Sequence, residues 1–452
     1  MKYPIPALGA AAILFVLCTG AAAFDGVTGQ PSTPAAQPSQ KSTTSPTTAP
    51  AQSDDVPVPL TTRVDTDLIK GDEGDLNRLY QIPDDPVSHV LAAMALERLH
   101  MNLEKSSADA AACEKVLHAS RPDIAAYCAL FAAGDTRLAG HIQQADRSVL
   151  EIAERYAATI PATELAALRQ LVDANAGGTD THVLRPSHTV TMPLRTRSLH
   201  NRTRFVEASA NGTSRGLVVR TEASWLLLDK RTAYEWGVHM LDEGDRHVPG
   251  YLGEDVDASH GSLDRLELGG AVIENVPVDV VPNALPAIGI NILKALGAFR
   301  VSKDALVIYG SNDPRPACSG PLLAASRRDG SNLWLQHNIS IDGSVQKVTI
   351  ATGTPAYLSG NTSVKDRYEN DDGPGGYIRV RDLGVRPVVV GIKVATRDVV
   401  IAGQTMKMRF VVFTDDQLPW DYLLGNLALQ DMDFYFDFDN RHSCLLLHDE
   451  IK

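Results

Sequence analysis

The 452-residue chain lacks most of the short patterns that mark common catalytic sites. It has no His-Glu-x-x-His, no Cys-x-x-Cys, no Gly-rich loop ending in Gly-Lys and no Gly-x-Gly-x-x-Gly opening a helix. A zincin centre, a thioredoxin-type dithiol and the two usual nucleotide cradles are therefore excluded. It also lacks basic excess: the formal net charge is −13. Without clustered Lys and Arg to displace counterions, an extended nucleic-acid surface is excluded, and no nucleic-acid partner is expected. Long apolar runs are missing too. The one at residues 7–18 falls short of the roughly 20 residues of a spanning helix.

What is present begins with that run. Lys2, the apolar stretch and Ala21-Ala22-Ala23 before Phe24 form a charged n-region, an h-region and a small-residue cleavage site, the signature of a signal peptide over residues 1–23. Export to a periplasmic or extracellular space is expected, with an uncleaved anchor or a lipoprotein at Cys18 as the lesser alternatives. Cys18 leaves with the signal, so four cysteines remain in an oxidising compartment, and the expected pairs are Cys113 with Cys128 and Cys318 with Cys444. Four cysteines allow three connectivities, and spacing does not choose among them.

Residues 24–60 are dominated by Pro, Ser, Thr, Ala and Gln and cannot bury enough apolar surface to offset ordering entropy. They read as a flexible spacer. The period then becomes helical over residues 61–178. Asp85-Pro86 supplies an N-cap and first-turn proline, a second helix is expected near residues 108–118, and a third opens at Arg121-Pro122 and breaks at Gly134-Asp135. A tetratricopeptide-like array or a simple bundle both fit.

From residue 184 onward short β-branched runs alternate with Gly, Asn and Asp turns, and the order of parts occurs twice. The first copy covers 184–311, a connector 312–330, and the second copy 331–452. Each copy has a turn, an apolar strand, a loop, a Gly-containing excursion and an apolar-Gly step into a short helix. The central loops are Val218-Val219-Arg220-Thr221-Glu222 and Thr349-Ile350-Ala351-Thr352-Gly353. The excursions carry Tyr251 and Tyr377.

This order resembles the retropepsin-like aspartic proteases, in the form where two lobes lie on one polypeptide behind a helical region. The resemblance is strongest in the second copy, at Tyr422-Leu423-Leu424-Gly425-Asn426 and Phe434-Tyr435-Phe436-Asp437. It implies an α+β multidomain chain: an N-terminal α-helical domain followed by two tandem all-β acid-protease lobes. In that family one Asp from each lobe activates a water between them, and the following Thr or Ser ties the two loops together. Here the triplet Asp-Thr/Ser-Gly is absent from both lobes: Arg220 and Ala351 stand in the aspartate seats, and Glu222 occupies the seat matching Gly353.

Arg220 stays protonated and Ala351 has no acid-base group, so neither takes a proton from water. No catalytic residue is expected. Arg220, Thr221, Glu222, Ala351, Thr352 and Gly353 remain as vestiges, and Arg220, Glu222, Tyr251 and Tyr377 as cleft residues. The expected role is a pseudoprotease that binds a polypeptide or an envelope protein partner. The alternatives are an endopeptidase with unorthodox or borrowed acids and a purely structural subunit. No cofactor and no metal are expected. Asp431, Asp433, Asp437 and Asp439 are read as the solvent face of the closing strand and His260 as a loop residue, while Arg220 and Glu222 are either an exposed same-face pair or, with Arg220 at the lobe seam, a site for an acidic or C-terminal carboxylate group. Thr221 and Thr352 are expected to face each other.

Overall fold

The computed structural model describes residues 58–174, 180–196, 203–241, 246–250, 255–369, 373–382, 386–416 and 418–448. The stretches expected to be signal peptide and spacer, up to residue 57, and Tyr251 lie outside the described residues. Seven helices occupy residues 60–174, and local chemistry sets several of their ends. Asp85 caps Pro86–Leu99: its carboxylate accepts the N–H groups of Val87 and Ser88, and Pro86 has no N–H to satisfy. The second expected helix spans Leu103–Leu117.

The third helix does not break at Gly134-Asp135 but continues as Pro122–Leu138. Local propensity is overridden by tertiary contact. Gly134 is where the helix meets the Arg328 carbonyl, which a Cβ would overlap. Asp135 is buried against Arg98, with Nε to Oδ1 at 2.7 Å, and accepts the Ser106 hydroxyl at 2.7 Å. Both cysteine pairs form. Cys113–Cys128 staples Leu103–Leu117 to Pro122–Leu138, and Cys318–Cys444 ties the inter-lobe connector to the last strand.

The two sequence copies fold alike. In the first, Arg204–Ala210 and Thr213–Arg220 form a hairpin, and Ala287–Gly289 lies parallel to the second of these strands and antiparallel to Leu226–Leu228. In the second, Leu333–Ile341 and Ser344–Ala351 form the hairpin, and Tyr422–Gly425 lies parallel to Ser344–Ala351 and antiparallel to Leu358–Gly360. The match extends to single positions: Arg220 pairs in register with Gly289, and Ala351 with Gly425. Both hairpins turn on a positive-φ pair, Asn211-Gly212 and Asp342-Gly343, whose twist suits the flanking strands.

The closing strands leave their own copies and build a shared five-stranded sheet. Ala298–Val301 of the first copy pairs antiparallel with Met432–Asp437 of the second, Phe299 opposite Phe436 with ring centroids 5.5 Å apart. Met432–Asp437 is thus an interior strand, buried at every residue, which corrects the solvent-face reading of its acids. Asp437 accepts the Tyr435 hydroxyl and the Asn440 side-chain amide, both at 2.9 Å, while Asp433 pairs with His448 at 2.8 Å and Arg300 at 3.3 Å. Asp439 does lie exposed, against Arg185 and Arg315. His260, read as a loop residue, is buried in the long strand Asp255–Leu268, 3.3 Å from Asp279.

The helices and the β copies belong to one compact unit. Arg98 reaches the carbonyls of Arg327 and Arg328, and the Lys294 amine donates to the Leu138 carbonyl, where burial pushes it down to about 8. Glu73 bridges His100 and Lys347, each at 3.0 Å, and these hydrogen bonds hold its carboxyl down at about 2 against an ordinary 4.5. A depressed carboxyl stabilises the fold above its unfolded value and loses that contribution as pH falls through its folded one. Glu73→Gln is therefore expected to flatten the loss of stability between pH 4.5 and about 2, read by urea unfolding across that window.

Candidate functional site

The hairpin strands of the two copies end side by side at the lobe seam, and there the threonines meet. The Thr221 N–H donates to Thr352 Oγ1 at 3.1 Å, and the Thr352 N–H donates to Thr221 Oγ1 at 3.2 Å. Each hydroxyl then donates across the seam, Thr221 to the Ile350 carbonyl at 2.5 Å and Thr352 to the Val219 carbonyl at 2.7 Å. Both residues are buried, at 0% and 5% exposure, so these bonds operate without competition from water. The exchange is reciprocal: Thr221 binds the residue just before Ala351, and Thr352 the residue just before Arg220. Arg220 and Ala351 are therefore equivalently placed.

The seats differ sharply in surroundings. Ala351 is fully buried in a cluster of Ala325, Trp334, Trp420 and Leu423, with Ile69 of the first helix and Leu418 packed against it. Arg220 sits at the seam with its side chain 11% exposed and donates from Nε to Glu222 Oε1 at 2.9 Å; the Glu222 side chain is 9% exposed. The pair is nearly buried, which corrects the expectation of an exposed one. Burial comes from the facing loop: the Gly353 N–H donates to Glu222 Oε2 at 3.2 Å, and a Cβ at Gly353 would fall on that carboxylate. Gly353 is required here because the partner copy carries Glu222 where a second glycine would leave space.

Both Glu222 oxygens accept hydrogen bonds, Arg220 holds a fixed positive charge and Ala351 offers nothing. The Arg220 amino groups Nη1 and Nη2 have no hydrogen-bond partner among the described residues. Tyr377, placed in the cleft by sequence, is 73% exposed on the strand Gly375–Asp382 and makes no ring or hydrogen-bond contact among the described residues. Among the described residues no group of three His, Cys, Asp or Glu side chains is arranged to hold a metal, and no helix is long and apolar enough to cross a membrane.

The sequence also contains one Gly-x-Ser-x-Gly string, Gly212-Thr213-Ser214-Arg215-Gly216. It is not a nucleophile elbow, which turns from strand into helix. Here a hairpin turn leads into the strand Thr213–Arg220, Ser214 pairs in register with Ser209, and Arg215 binds Glu235.

No family model matches the chain, and no curated protein sequence matches it. Solved structures similar to it include an aspartic proteinase from Irpex lacteus, at 13% identity over 58% of this chain and 98% of that one, with a TM-score of 0.40. They also include Basic 7S globulin from soybean, at 11% identity over 58% of this chain and 95% of that one, with a TM-score of 0.34.

Proposed function

We propose that this chain is a two-lobed relative of the aspartic proteases that has lost peptidase chemistry and binds a polypeptide in the bacterial envelope. The observation that carries the reading is the reciprocal Thr221–Thr352 exchange, retained around two seats that hold a nearly buried Arg220–Glu222 pair and a sealed Ala351. The seam is preserved while the acid pair is gone, the combination expected of a binding scaffold. Two formed disulfides support an oxidising, exported setting.

Arg220 is the recognition residue in this reading. Its Nε is fixed by Glu222, and the two remaining amino groups present a planar fork suited to an acidic side chain or a C-terminal carboxylate. Arg220→Ala is expected to weaken binding of acidic, free-C-terminus peptides roughly tenfold or more, because charge-assisted hydrogen bonds contribute about 1.5–3 kcal/mol. Arg220→Lys keeps the charge and the Glu222 partner but loses the fork, so it should recover only part of the affinity. Fluorescence anisotropy with a labelled peptide library measures both. Unchanged affinity in both variants, or reproducible cleavage of the library by the wild-type chain, overturns the reading.

A further inference from the structure

The eight-stranded sheet of the second copy has two end strands, and they differ in cover. Leu323–Ser326 is buried at every residue, with the helices Leu60–Lys70 and Pro86–Leu99 packed on it. Gly375–Asp382, at the other end, pairs only with Arg386–Ile401 among the described residues. Its outer side is a row of main-chain N–H and C=O groups, a template for another strand. Little blunts it. Pro374 stops short of the strand, where its carbonyl accepts the Val394 N–H, and the exposed Gly375 and Gly376 carry no side chain to bar approach.

The side chains decide what fits this edge. Alternation puts Tyr377 and Arg379 on one face and Ile378 on the other, where it packs with Val390 and Phe413. Tyr377 is 73% exposed, Arg379 is exposed, and neither has a ring, hydrogen-bond or ion-pair partner among the described residues. Val389, the register partner of Arg379, adds apolar surface to the same face. In an antiparallel pair opposed residues share a face, so a strand that meets its own copy about a two-fold axis normal to the sheet has a residue at its centre. Centring on Ile378 sets Tyr377 of each copy opposite Arg379 of the other, ring against guanidinium, with Ile378 opposite itself. Centring on Arg379 would oppose two guanidiniums, and centring on Tyr377 would leave each Arg379 facing Gly375.

We propose that Gly375–Asp382 is a homodimer edge, pairing antiparallel with the same strand of a second copy about Ile378, so that two sheets become one. The strand holds both members of each opposed pair, and a second copy completes them with no other partner. A foreign peptide would have to bring a cation opposite Tyr377 and an aromatic ring opposite Arg379 on one face. The contact is isologous and closes at two copies.

Sedimentation equilibrium of the mature chain across micromolar concentrations is expected to show a reversible monomer–dimer equilibrium. Tyr377→Arg opposes like charges at both symmetric pairs and should weaken the dimer roughly tenfold or more, while melting like the wild type because the position is exposed. Adding Arg379→Glu to Tyr377→Arg puts opposite charges face to face and should restore association. Cysteines read the register: a mixture of Tyr377→Cys and Arg379→Cys chains should cross-link on oxidation, and neither variant alone. A monomer at every concentration, a dimer indifferent to Tyr377→Arg, a loss that Arg379→Glu does not rescue, or cross-linking by either cysteine variant alone as readily as by the mixture overturns the proposal.

Discussion

Ala351→Asp, which places a carboxylate in the second copy's central loop, is expected to destabilise the protein by about 3–5 kcal/mol. The reason is the seat. Ala351 is fully buried in a cluster with Trp334, Trp420 and Leu423, against which Ile69 of the helix Leu60–Lys70 packs. Burial in this cluster disfavours an ionised carboxylate, so desolvation pushes the pKa of the new side chain up. A raised folded pKa reverses the usual carboxylate trend: the variant regains stability as pH falls and loses it as pH rises through the folded value. Urea unfolding at neutral and acidic pH reads this directly. Ala351→Asn, similar in shape but uncharged, separates crowding from charge, because its penalty should not change with pH. Wild-type stability in Ala351→Asp would show that the seat is open to solvent.

Arg98→Met is expected to cost a similar amount, about 3–5 kcal/mol, because it strands a buried charge. Arg98 is 0% exposed; it pairs with Asp135, donates to the carbonyls of Phe131, Arg327 and Arg328, and lies 3.4 Å over the Phe131 ring. Its removal leaves the Asp135 carboxylate with only the Ser106 hydroxyl and frees three carbonyls. The companion Arg98→Met/Asp135→Leu should recover a large part of the loss, since replacing both members of a buried pair by apolar side chains is often neutral. The contact joins the helices Pro86–Leu99 and Pro122–Leu138 to the chain at 327–328, so the single variant should also loosen that junction. Hydrogen exchange at residues 327–330 would report it. Additive losses in the double variant would show that the pair is not coupled.

Much of the seam was legible in sequence. The frame around Thr221 recurs around Thr352, and a repeated frame on one chain implies two equivalent loops, which is where the structure puts them. Register followed as well, since each apolar-Gly step, at Gly289 and at Gly425, lands beside its loop. Readings that rested on local pattern alone fared worse. Gly134-Asp135 looks like a helix end because Gly and Asp are weak helix formers, yet a carbonyl 194 positions later requires the glycine and Arg98 requires the aspartate. Alternating acids around Phe434 look like a wetted face, yet the strand pairs on both sides and its acids are paired with Arg300, His448, Tyr435 and Asn440. Glu222 looks like half of an exposed pair, yet the facing copy buries it through Gly353.

By itself the sequence determined the order of parts, the doubling of the β pattern and the pairing of the loops at Thr221 and Thr352, because these follow from residue types and short spacings. Tertiary structure decided the surroundings of those loops. Ile69 and Trp420 are far from Ala351 along the chain, and only folding brings them to the cluster that holds it. The same holds for the shared sheet. Burial and pairing across long separations depend on which elements pack together, and no local period encodes that.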